Sequence, residues 1–119
     1  MNSGTATNVD LANGWRFIAD RQVNFGVDRD VIVFGNLKDD FSQLKFIVKG
    51  APLKIYDVKV YFDNGSVQDV AIRSLIRQGG ESRVIDLEGG RRHLSKIEFW
   101  YETKGYRKGR ATMAVWGNS

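Results

Sequence analysis

Chemistry in this chain is concentrated between Arg91 and Arg110. Seven basic residues (Arg91, Arg92, Lys96, Lys104, Arg107, Lys108 and Arg110) and two acidic ones (Glu98, Glu102) fall there, a local charge of +5, while the remainder sums to −1. Within it, Trp100, Lys104, Tyr106, Arg107, Lys108 and Arg110 form the first candidate ligand site. The cations would hold a phosphate or carboxylate, and the rings would stack on a sugar or a base. Arg91, Arg92 and His93 form a secondary basic cluster. The predicted strand Leu94 to Glu102 separates the two clusters by ~27–30 Å. They make one patch only if their loops fold back. The plainer alternative is a solvated, charged loop that protects a sheet edge from aggregation.

Other constellations carry less. Asp28, Asp30, Asp39 and Asp40 would offer hard oxygen ligands to a cation, but they flank a predicted strand, and turn chemistry explains them more simply. Whether they bind a cation stays open. His93 is the sole histidine, with no nucleophile beside it in sequence. Glu98 and Glu102, four apart on a strand, stand ~13 Å from each other, beyond the ~5–9.5 Å of glycosidase carboxylate pairs. Gly79-Gly80 and Gly89-Gly90 lack the strand-to-helix setting of a phosphate loop, and no cysteine is present. No catalytic residue, metal ligand or cofactor is assigned, and the chain is expected not to be an enzyme. Trp100 lies on the polar face of its strand, beside Lys96 and Glu98. There it would serve as a sugar-stacking platform, or pack under a loop or a second subunit. Trp15 and Trp116 are expected to cover one end of the core.

The elements that must position these groups read as strands. Alternation from Leu53 to Phe62, the triplet Asp63-Asn64-Gly65, and renewed alternation from Ser66 to Ile72 describe a hairpin, with Asn-Gly supplying positive φ angles. The parity of apolar residues changes within the first arm, which predicts a β-bulge at Ile55 to Asp57; a matching shift is expected between Val67 and Val70. Further strands are expected at Trp15–Ala19, Arg29–Phe34, Leu44–Val48, Ser82–Leu87, Leu94–Glu102 and Arg110–Trp116. Val31 to Phe34 is continuously apolar, which predicts burial on both faces or a bulge. Leu75-Ile76 reads as loop, and Val70 to Arg77 is the one short helical candidate. In the strand Leu94–Glu102, Ile97, Phe99 and Tyr101 share a dry face opposite Lys96, Glu98 and Trp100. About eight strands in 119 residues, 42% of them hydrophobic, predict an all-β, antiparallel, jelly-roll-like sandwich with little or no helix. Residues 13–117 form the single domain, after a disordered lead-in at 1–12.

Four stretches carry a family likeness: Lys49-Gly50-Ala51-Pro52-Leu53; Arg83-Val84-Ile85-Asp86-Leu87 running into Gly89-Gly90-Arg91-Arg92; Ile97-Glu98-Phe99 with Tyr101; and Gly109-Arg110-Ala111 leading to Val115-Trp116-Gly117. Together they resemble an uncharacterised bacterial family of small, often exported all-β domains. More distantly, the strand order resembles that of jelly-roll binding modules. The resemblance implies a periplasmic or secreted location and a non-enzymatic role, and offers no catalytic residues. Met1 to Asn8 has neither the basic nor the apolar region of a signal peptide, and no apolar run approaches the ~20 residues that cross a bilayer. The expected partner is a carbohydrate or a polyanion, with nucleic acid a less favoured variant. The alternative is an assembly domain that forms homo-oligomers, such as a homodimer, through exposed sheet edges.

Overall fold

The structure, a computed structural model, describes residues 9–10, 14–24, 26–35, 37, 39–103 and 110–119. Among these residues there is no helix, hence none long and apolar enough to cross a membrane. The strands are Val9–Asp10 (β1), Trp15–Gln22 (β2), Val27–Val33 (β3), Asp40–Phe41 (β4), Gln43–Lys49 (β5), Leu53–Phe62 (β6), Val67–Ile76 (β7), Ile85–Asp86 (β8), Arg92–Thr103 (β9) and Thr112–Asn118 (β10). One antiparallel sheet runs β1-β2-β10-β5-β8; the other runs β3-β9-β6-β7, with β4 also paired to β9. The connections β2–β3, β4–β5, β5–β6, β7–β8, β8–β9 and β9–β10 all pass from sheet to sheet, so the chain stitches a sandwich. Of the lead-in expected over residues 1–12, Val9 and Asp10 pair with Arg16 and Trp15; the rest lies outside the described residues.

The alternation seen in sequence explains why the sheets face each other. Leu44, Phe46 and Val48 of β5 and Met113 and Val115 of β10 meet Leu53, Ile55, Val58 and Val60 of β6 and Ile97, Phe99 and Tyr101 of β9 in one core. Each such side chain taken fully out of water contributes about 1.5–3 kcal/mol, so a one-residue slip of any central strand is strongly disfavoured. The expected bulge is present. Ile55 pairs with Tyr101 and Asp57 with Trp100, so β6 carries one extra residue, Tyr56, against β9.

Several expectations are corrected. Val67 simply faces outward, at 42% exposure, so β7 needs no shift there. Its extra residue falls later, between Ala71, opposite Asp57, and Ser74, opposite Ile55. Arg73 takes the strain with φ +50°, the one described non-glycine residue in that region. Leu75-Ile76 and the helical candidate Val70 to Arg77 belong to β7 up to Ile76, which is buried. The apolar run of β3 is not buried on both faces, because β3 is an edge strand; Val33 is 68% exposed. The strand expected over Ser82–Leu87 is regular only at Ile85–Asp86, since Ser82 Oγ accepts the Phe46 N–H in place of a regular ladder bond. In the β6–β7 turn only Gly65 has positive φ. The Gly65 N–H donates to the Phe62 carbonyl and the Phe62 N–H to the Ser66 carbonyl, a three-residue loop with Gly65 at the left-handed position, not a two-residue Asn-Gly turn.

Arg73 lends itself to a direct test. Its side chain is exposed, and a non-glycine residue at this φ costs about 1–2 kcal/mol. Arg73→Gly should therefore raise stability by about 0.5–1 kcal/mol in urea titration, after the extra entropy of an unfolded glycine is deducted.

Candidate functional site

Stacked irregularities open a groove on the outer face of the β3-β9-β6-β7 sheet. The extra residue of β6 against β9, and that of β7 against β6, fall at neighbouring positions. Bulges sharpen local twist and bend, so the sheet bends at this row. Tyr56 and Asp57 both come to lie opposite Trp100 on β6, while Arg29 lies opposite it on β3. The resulting cleft of about 950 Å³ is lined by these four residues with Val27, Asp28, Lys59, Asp69 and Ala71 among others.

Trp100 is half-buried and outward-facing, as the alternation of its strand requires, with Phe99 and Tyr101 fully buried on the other side. The neighbouring outward rings are already covered. Lys54 sits over Tyr56 at 5.1 Å and Lys96 over Tyr61 at 4.7 Å. On the opposite sheet Lys45 sits over Trp15 at 4.5 Å, and Phe17 meets Trp116 edge-on at 5.7 Å. Among the described residues Trp100 has neither a cation nor a ring against it.

The groups around it are held in place. Tyr56 donates to Glu102 Oε1 at 2.6 Å and Tyr61 to Glu98 Oε1 at 2.9 Å. Both phenols are pushed up from their ordinary value, chiefly by donating to those carboxylates. Glu98 is held below the usual carboxylate range, first by the Tyr61 hydroxyl and then by the Arg29 guanidinium that pairs with it. Asp28 is lowered by the Asn24 side-chain amide at 2.9 Å and by the Arg29 backbone N–H at 2.8 Å. No ion pair or hydrogen bond occupies Asp57 among the described residues.

The basic clusters are placed apart. Arg92 opens β9 and Thr103 closes it, about 37 Å along an extended strand. Arg91 pairs with Asp40 at 3.1 Å. Arg92 donates to the Glu88 carbonyl at 2.6 Å, to Ser66 Oγ at 2.9 Å and to Asn64 Oδ1 at 3.3 Å, and stacks over Phe62 at 3.8 Å, so it ties two turns together. His93 Nε2 approaches Asp40 Oδ2 at 3.9 Å on open surface, away from the groove. Lys104, Tyr106, Arg107 and Lys108 lie outside the described residues. Arg110 is exposed before β10.

The four aspartates also part company. Asp39 pairs with Arg16 at 3.2 Å. Asp28 and Asp30 lie within β3, not in a turn before it. Asp30 is buried at 8% exposure, accepts from Tyr101 at 2.8 Å, and pairs with Arg21 at 3.1 Å. Trp15 and Trp116 are not an end cap of the core; register puts them on the outer face of the β1-β2-β10-β5-β8 sheet, with Asn118, Phe17 and Lys45. Reading the sequence alone missed Arg29, Tyr56 and Asp57 as cross-strand neighbours of Trp100, and Asp69 as a further residue of the groove. The parity change at Ile55 to Asp57 was the available signal; what it lacked was the pairing of β6 and β3 with β9.

Three comparisons bear on this domain. The sequence model of a family described as a domain of unknown function (DUF2541) matches residues 1–117. A search of curated proteins gives no match. Among solved structures, AlgX from Pseudomonas aeruginosa is similar with a TM-score of 0.54 and 16% identity, over 87% of this chain and 26% of that one. The chain thus spans about a quarter of AlgX, and the likeness is one of fold. The SPBc2 prophage-derived protein YomS aligns with a TM-score of 0.44 and 15% identity, over 88% and 91% of the two chains.

Proposed function

The chain belongs to the DUF2541 family, domains of unknown function, and we propose that it is a non-enzymatic module of the bacterial cell envelope that binds carbohydrate in the groove around Trp100. The envelope location follows the sequence resemblance to exported domains. The observation that carries the binding reading is the uncovered indole at the floor of a bent sheet, with polar groups ranged beside it. A sugar ring offers C–H faces to an aromatic plane and hydroxyls at its rim. A half-buried indole flanked by a carboxylate and a guanidinium matches both demands. The rings of Tyr56 and Tyr61, fixed through Glu102 and Glu98, limit the entropy lost on binding.

The test is a glycan array followed by titration of the hits. Trp100→Ala should lower affinity by about tenfold or more, the equivalent of ~1.4 kcal/mol, with the melting temperature unchanged within a few degrees. Binding that survives the substitution, or no retained glycan at all, removes this reading. A second reading, self-assembly through a sheet edge, draws on Val27 and Val33, exposed at 75% and 68% on the edge strand β3. Light scattering that finds only monomer at high concentration would remove it.

A further inference from the structure

We infer, resting on the carbohydrate reading, that the groove selects uncharged pyranoses and turns away uronic acids and other polyanions. The chain's net charge of +4 points the other way, but charge acts locally, since fields fade within about 8–10 Å at ordinary salt. On the outer face the lining carries two carboxylates (Asp57, Asp69) and two cations (Arg29, Lys59), while Asp28, opposite Tyr101, turns to the inner face. Glu98 and Glu102, two residues either side of Trp100 on its own face of β9, add two further carboxylates. Both cations already have an anion. Arg29 pairs with Glu98, and Lys59 lies 3.8 Å from Asp69. Beyond the lining, Lys54 over the Tyr56 ring at 5.1 Å adds one cation, which leaves four carboxylates against three cations. Arg91 and Arg92 stand at the far end of β9, about 26–30 Å along the strand from Trp100.

The arrangement around the indole gives the inference its chemistry. In the cross-strand row through Trp100, Asp57 stands on one side and Arg29 on the other, each about 4.8 Å away, one strand spacing. A pyranose laid on the indole therefore has an acceptor at one rim and a donor at the other. The two Asp57 oxygens accept a pair of neighbouring hydroxyl protons in charge-assisted hydrogen bonds. The Arg29 N–H groups left over from Glu98 donate to ring or hydroxyl oxygens. A uronic acid in the same seat would bring its carboxylate within a ring's width of Asp57, while the two cations of the lining, Arg29 and Lys59, already answer Glu98 and Asp69. Like charges at that distance oppose binding.

Calorimetric titration of the full chain with matched oligosaccharides decides the matter. The pairs are glucan and glucuronan, mannan and mannuronan, and galactan and galacturonan, each of equal length and linkage. In any pair that binds, the neutral member should bind about tenfold tighter or more, with little change between roughly 0.05 and 0.5 M salt. Asp57→Asn, on an exposed position and checked by circular dichroism, should weaken the neutral member about fivefold and close the gap to the acidic one. A uronic member that binds equally or more tightly, and loses that binding in Trp100→Ala, overturns the selectivity while the carbohydrate reading stands. If no pair binds, both fall.

Discussion

Gly50→Ala will destabilise this domain by about 3–5 kcal/mol, measured by urea or thermal unfolding. Two costs combine there. Gly50 has φ +83° between β5 and β6, where an L-residue loses about 1–2 kcal/mol. An added Cβ would also stand 2.5 Å from the carbonyl oxygen of Arg110, and a backbone atom cannot rotate away. The segment before β10 must then move, and β10 is the centre of its sheet, between β2 and β5. Two companion substitutions separate the costs. Gly65→Ala shares the positive φ, at +90°, with nothing within 4 Å of the added methyl, and should cost only the conformational ~1–2 kcal/mol. Gly117→Ala has no such φ, but its Cβ would meet Phe41 Cδ1 at 2.5 Å and Ile18 Cδ1 at 2.8 Å, an overpacking cost of about 1–3 kcal/mol. If Gly50→Ala costs no more than Gly65→Ala, the close approach of Arg110 to Gly50 is wrong.

These glycines show how far the sequence could be read. Gly50 and Gly117 stand inside the stretches that carry the family resemblance, and as residue types they say only that something small is needed. The reason, contact with Arg110 in one case and with Phe41 and Ile18 in the other, lies 60 or more residues away along the chain. The same divide runs through the fold. Period-2 alternation is local, so β6, β9 and the bulge at Ile55 to Asp57 were legible, and so was the face that Trp100 takes. Alternation fails where a strand lies at an edge. Val33 and Val67 are apolar yet exposed, which made β3 look doubly buried and moved the expected shift in β7. It fails again where a charge points inward. Asp30 in β3 read as turn chemistry because Tyr101, which donates to it, is 71 residues away, and Arg21 reaches it only across the crossing from β2 to β3. For the site, the outward indole was legible, but Arg29 and Asp57 beside it are a matter of register, and register between β3, β9 and β6 is written in no single segment. Charge density drew attention to the two ends of β9, whereas the cleft lies in its second half, where the sheet bends.

Tyr101→Phe should cost about 2–3 kcal/mol, lowering the melting temperature by roughly 10 °C, although it removes a single oxygen. Tyr101 is fully buried, and its hydroxyl performs two tasks. It donates to Asp30 Oδ2 at 2.8 Å and accepts the Asn24 backbone N–H at 3.0 Å. Asn24 lies on the crossing from β2 to β3, and Asp30 is held from the other side by Arg21 of β2. One phenol on β9 therefore fastens the link between the two sheets. Removing it leaves a buried carboxylate short of a donor and a backbone amide short of an acceptor, each worth about 1–3 kcal/mol. A pH titration distinguishes this role from mere packing. Burial, opposed by the Asn24 N–H and reinforced by Asp30, pushes Tyr101 up to about 12, against about 10 for an unfolded tyrosine. Between those values the unfolded chain has lost the proton that the folded chain keeps. Stability is therefore undiminished by this group below pH 10 and falls as pH rises from 10 towards 12, by on the order of 2 kcal/mol. Tyr101→Phe should lose that part of the alkaline decline while Tyr56→Phe, on the open face, keeps it. An alkaline limb identical in wild type and Tyr101→Phe would show that the hydroxyl is not the fastening that the Asp30 and Asn24 contacts make it.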